Sequence, residues 1–145
     1  MKLSETFDAI MREFKVVANK TLQSELRILF EKYPKCDSFT LVAYVDYFCD
    51  GDPCEFHYAE YYSKVNNRRF NPDCFPRSSG KTYFENDEDK AYYKENLWIR
   101  DAVSDFWEII HDIPSEIIQS IYGDHISITF NRDGSTKVED FREHD

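Results

Sequence analysis

The sequence predicts a single α+β domain, residues 1–145, in which a central β-hairpin and a C-terminal β-hairpin form an antiparallel sheet packed against helices. Three observations lead there. Apolar residues recur at helical spacing over the first 32 positions and again after residue 87. They alternate at period two from Ser38 to Phe48, again from Cys54 to Val65, and in the hairpin from Ile126 to Phe141. Finally, 12 Phe, 10 Tyr and 2 Trp in 145 residues supply one aromatic-rich core and exclude a disordered chain.

The N-terminal helix rests on Phe7, Ile10, Met11, Phe14 and Val17, with Leu22, Leu26, Leu29 and Tyr33 continuing the stripe. Ser4 suits its N-cap, Pro34 forces its end, and Asn19-Lys20-Thr21 is where a break is open. From Ser38 to Phe48, Phe39, Leu41, Ala43, Val45 and Tyr47 share one strand face. Turn chemistry follows at Asp50-Gly51-Asp52-Pro53, and Cys54 to Val65 reads as the return strand. Residues 66–80 read as an irregular surface loop, followed by a short strand at Lys81 to Phe84. The loop and its flanks, Ser63 to Thr82, are locally basic, with Lys64, Arg68, Arg69, Arg77 and Lys81 against Asp73.

Asn86 or Asp87 can cap a helix whose first turn, Asp87-Glu88-Asp89, suits the positive end of the helix dipole. Its pattern runs through Trp98 to about His111, with Ile99, Val103, Phe106 and Ile110 on the core face. A short helix fits Pro114 to Tyr122, closed by Gly123. Ile126, Ile128 and Phe130 then alternate before Asn131-Arg132-Asp133-Gly134, a hairpin turn signal, and Thr136 to Phe141 return.

The net charge of −10 is unevenly placed. Residues 1–100 carry 17 acids and 15 Lys and Arg, whereas residues 101–145 carry 11 acids and 3 Lys and Arg. A surface so acidic repels phosphate backbones and steers toward basic partners, which argues for a protein partner and against nucleic acid. No run approaches the roughly 18–20 apolar residues of a membrane helix, and no export signal is evident, so a cytoplasmic protein without membrane contact is expected. In that compartment Cys36, Cys49, Cys54 and Cys74 are expected as reduced thiols.

Chemical motifs are scarce. Cys49, Cys54, His57 and Cys74 are ligand types that zinc accepts, but their C-x4-C-x2-H spacing lies across a hairpin and no CxxC occurs, so no metal is expected. His57, His111, His125 and His144 are scattered, and no serine sits in a nucleophile elbow. Four glycines cannot write a dinucleotide or Walker-type phosphate loop. The chain is therefore read as non-enzymatic and without a cofactor. Its most informative feature is Asp101, Asp105, Glu108 and Asp112, which steps of four, three and four place on one helix side. The plain reading is a solvated face; the functional one is a docking stripe for a basic partner, with Trp98 as its aromatic anchor.

The segment Ser38 to Tyr62 and the ending Ile126 to Phe141, a terminal hairpin with a glycine turn and an acidic-aromatic last strand, are similar to YezG-like immunity proteins. More broadly the chain resembles the small acidic antitoxins of bacterial contact-dependent and related polymorphic toxin systems. The resemblance implies stoichiometric inhibition of a cognate toxin, most often a basic nuclease, by a surface that competes with phosphate. The chain departs from that pattern in its basic loop and its cysteines. The competing readings are an acidic phage-type anti-defence protein that mimics nucleic acid, and a small enzyme or nucleotide binder built around the basic loop.

Overall fold

The computed structural model describes residues 2–46, 51, 53–69 and 87–141, apart from the side chains of Tyr61, Asp87, Asp89 and Lys90. It is an α+β fold. Helix α1 (Leu3–Lys32) leads into strand β1 (Ser38–Val45), followed by β2 (Phe56–Tyr58), a 3-10 turn (Glu60–Tyr62), β3 (Lys64–Val65) and β4 (Arg68–Arg69). Helices α2 (Asp87–Glu95), α3 (Trp98–His111) and α4 (Ser115–Tyr122) precede strands β5 (Ile126–Asn131) and β6 (Thr136–Asp140). The strands form one antiparallel sheet in the order β4-β3-β1-β5-β6, with β2 also paired to β1.

Strand β1 is central because it pairs along its length on both sides. Phe39, Leu41 and Ala43 stand opposite Phe130, Ile128 and Ile126 of β5, so two alternating patterns supply one apolar face. That face receives the C-terminal half of α1 and the inner side of α3. Phe39 stacks on Phe106 with ring centroids 4.6 Å apart and lies 5.6 Å from Phe30. The core side of α3 is the one expected, since Ile99, Val103, Phe106 and Ile110 are all buried.

Several elements differ from the sequence reading. The expected return strand from Cys54 to Val65 is broken by the 3-10 turn, so β2 and β3 pair with different parts of β1. The stretch read as irregular loop begins with an ordered hairpin: Asn66 and Asn67 have φ of 53° and 62° and join β3 to β4. Asn tolerates this left-handed region, and the Asn66 side chain fastens the turn to the start of β1. Its Oδ1 accepts from the Asp37 and Ser38 N–H groups at 2.6 and 3.2 Å. The strand expected at Lys81 to Phe84 lies outside the described residues.

The helix expected from residue 87 to His111 is two helices. The Asn96 amide donates to the Tyr92 carbonyl at 2.8 Å and its oxygen accepts from Trp98 Nε1 at 3.3 Å, a local competition with the helical ladder that ends α2 and starts α3. Helix α1, in contrast, is unbroken over 30 residues, and it begins before Ser4, with Glu5 accepting from the Lys2 N–H at 3.4 Å. Its two apolar stripes are not continuous. Leu22, Leu26, Leu29 and Phe30 are buried, while no residue between Lys2 and Ala18 is. From Val17 to Leu22 is five residues, about 140° around a helix, so the first stripe points elsewhere.

The expectation of four reduced cysteines is corrected: Cys54 is disulfide-bonded, whereas Cys36 is free and buried. Which sulfurs approach each other is set by the fold, and an expected compartment carries no information about it. Burial pushes the Cys36 thiol up to about 12, which makes it inert as a nucleophile.

Candidate binding groove between two helices

The outer side of α3 faces α1 across a groove of about 580 Å³. Its floor is apolar, built from Leu22, Ile28 and Leu29 of α1 and Ile109 and Ile113 at the end of α3. Its walls carry four carboxylates, Glu25, Asp105, Glu108 and Asp112, against the single ammonium of Lys32. The helical steps that align the acids on α3 also place Ile109 beside them, so acidic rim and apolar floor come from one periodicity.

The four acids of α3 do not act alike. Asp101 is exposed beyond the groove, with Arg100 Nε 3.9 Å away. Glu108 and Asp112 are exposed on the rim, and Asp112 caps the helix. Asp105 is partly buried and already engaged: its Oδ2 accepts from Lys32 Nζ at 2.8 Å and from the Tyr33 hydroxyl at 2.6 Å. Asp105 thus ties α3 to the end of α1. Trp98 is partly buried, with its ring 6.4 Å from Tyr33 and its Nε1 on Asn96, so it packs within the domain and does not project as an anchor. The sequence reading missed Ile28, which is exposed at the groove; its place on the face opposite the buried stripe was the available signal.

The bonds from Lys32 and Tyr33 hold the Asp105 carboxyl below the usual carboxylate range. Its partners move the other way: the Lys32 ammonium is raised by its bond to Asp105, and the Tyr33 hydroxyl by burial and then by the same carboxylate. A depressed carboxyl contributes stability that is present above its unfolded pKa and lost as pH falls through the folded one. Between about pH 5 and about pH 2, wild-type protein is therefore expected to lose more stability than Asp105→Asn, measured by urea unfolding at each pH. Equal losses would show that the bridge adds nothing to acid sensitivity.

The three described histidines are each seated against a carboxylate. His57 Nε2 lies 3.2 Å from Asp46, His111 Nε2 lies 3.4 Å from Glu60, and His125 Nε2 lies 3.4 Å from Asp124. His57 and His111 line a second cavity of about 430 Å³ with Tyr58, Glu60 and Ser115. The Tyr58 hydroxyl is buried without a hydrogen-bond partner among the described residues, and burial pushes it up to about 12. Among the described residues this cavity presents no base bonded to a nucleophile.

The two arginines of the β3–β4 hairpin lie on aromatic faces. Arg68 sits 3.9 Å from the centre of the Tyr92 ring and Arg69 5.1 Å from that of Tyr62, which fastens α2 and the 3-10 turn to the hairpin. Arg77, Lys81, Cys49, Cys74 and His144 lie outside the described residues. No described helix is long and apolar enough to cross a membrane. The chain matches no protein-family model, no curated protein and no solved structure.

Proposed function

We propose that the protein acts by binding a basic protein partner in the groove between α1 and α3, in the manner of an immunity protein that neutralises a cognate nuclease toxin domain. The observation that carries this reading is the pairing of an acidic rim with an apolar floor. Charge there sets association rate and partner choice, and the floor supplies the desolvated contact from which most affinity comes. The partner segment that fits is basic along its flanks and apolar along one side, such as an amphipathic helix. A nucleic-acid mimic would need carboxylates spread along an extended surface, whereas these acids line a groove around apolar side chains. The reading needs no catalytic residue and no cofactor. It places the protein in the cytoplasm, where a delivered toxin would act; the Cys54 disulfide runs against that placement, since such bonds persist in oxidising compartments.

The test is reversal of Glu108 and Asp112 together to Lys. Both are exposed, and cations near a helix C-terminus are favourable, so the variant is expected to remain folded. Co-expression with nuclease toxin domains identifies the partner by restored growth. Against that partner the variant is expected to bind at least about tenfold more weakly at low salt, with a flatter salt dependence. Unchanged affinity and salt dependence would remove the groove from the interface.

A further inference from the structure

The first half of α1 is an arm with no buried residue, and it carries a second apolar surface. Leu3, Phe7, Ile10, Phe14 and Val17 are exposed by 86%, 61%, 59%, 49% and 55%. Their steps of four, three, four and three give the 3.5-residue spacing with which one helix packs along another. The arm extends about 22 Å at the helical rise. We infer that it is a self-association surface, pairing antiparallel with the same arm of a second copy of this chain.

Three observations select that occupant. First, residues 2–17 hold Lys2, Arg12 and Lys15 against Glu5, Asp8 and Glu13, so the arm is neutral in a chain of net charge −10. Arms can therefore meet without like-charge repulsion. The neutral arm offers nothing to select the basic partner of the groove, and it lacks the excess of Lys and Arg that marks a helix lying on anionic lipid. Second, the stripe offers on the order of 500 Å² of contiguous apolar surface, the size of the largest, often functional, patch on a monomer, and full coverage by its copy would bury up to about 1,000 Å², near the lower bound of specific interfaces. Third, a helix of about 15 residues without packing is marginal in water, and Thr6, Val16 and Val17 are weak helix formers, so the arm requires a partner along its length.

The antiparallel sense follows from charge. All the net negative charge lies outside the arm, and antiparallel pairing puts the two acidic bodies at opposite ends of the helix pair, beyond the Debye length of about 8–10 Å. Parallel pairing would set them side by side. The stripe ends at Val17, one turn before Thr21 opens the groove on the same face of α1, so the two sites adjoin. Substitutions at Leu3, Phe7 and Phe14 alter no groove-lining residue, and loss of the dimer with the groove residues intact would leave the groove reading standing.

Sedimentation velocity and far-UV circular dichroism of the full chain from about 1 to about 300 μM test the inference. The mass is expected to double across that range, and helicity per residue to rise with it as the arms order. Phe7→Glu combined with Phe14→Glu is expected to stay monomeric, with an unchanged urea transition for the body, because neither residue is buried. Leu3→Cys, under oxidation, is expected to give no more covalent dimer than wild type, since antiparallel pairing holds the two positions at opposite ends. A wild-type monomer throughout, a dimer that survives the double substitution, or cross-linking through Leu3→Cys would each overturn it. So would a monomer that instead binds vesicles of phosphatidylglycerol and phosphatidylcholine.

Discussion

Phe106→Ala is expected to lower the unfolding free energy by about 3–5 kcal/mol, the range for emptying a buried aromatic site. Phe106 is where α3 meets the sheet: its ring stacks on Phe39 at 4.6 Å with planes 3° apart and lies 6.2 Å from Phe130 on the neighbouring strand. Both strands on which α3 rests lose contact at once, and the stacked geometry leaves little room for repair by a single rotamer change. A loss of that size is a large share of the roughly 5–15 kcal/mol that holds a domain together. Urea unfolding is expected to show the midpoint falling by about 1–3 M with an unchanged slope. Asp101→Ala, on the exposed side of the same helix, is expected to stay within about 0.5 kcal/mol. A Phe106→Ala loss below about 1 kcal/mol would mean that α3 is not seated on the sheet through this residue.

The second large effect is expected at Gly123, which closes α4. Its φ of 104° and ψ of −169° lie in a region that glycine alone occupies without strain. A Cβ there would meet only the Ile126 Cγ2 at 3.8 Å, an ordinary contact, so the cost of Gly123→Ala is conformational and not steric. About 1–3 kcal/mol is expected, with the slope of the urea transition again unchanged. The turn has no easy way to relax. His125, two residues on, is already held at a φ of 50°, and the Asp124 carboxylate fixes it by accepting from the Val45 and His125 N–H groups at 2.8 Å each. A cost under about 0.5 kcal/mol would show that this connection can rearrange around a side chain.

Local regularity was legible in the sequence, and so were the helices and strands it specifies. Ile99, Val103, Phe106 and Ile110 announced the buried side of α3, and Ile126, Ile128 and Phe130 the inner face of β5. What depends on a distant partner was not. Periodicity cannot say which of two stripes on α1 is covered, because that is decided by α3 and α4, which contact it from more than 60 residues away. The same holds for Asp105: its place in the acidic stripe could be read from spacing, but its capture by Lys32 and Tyr33 could not. Two misses did carry a signal. Asn66-Asn67 is a residue pair suited to positive φ, and Asn96 is a side chain that competes with helical backbone, yet each was outweighed by the longer pattern around it.

Strand β6 has a consequence for how the protein fails. It is an outer edge of the sheet, five residues long, and Lys137, Glu139 and Asp140 project from it into solvent. Among the described residues the opposite edge is β4, only two residues long. Short and charged edges are poor templates for a further strand, so the native sheet is protected from growing into aggregates by edge-to-edge addition. Aggregation on heating or in mild denaturant should accordingly begin only once β6 detaches and bares β5, whose Ile126, Ile128 and Phe130 form the uncharged, apolar segment that such growth requires.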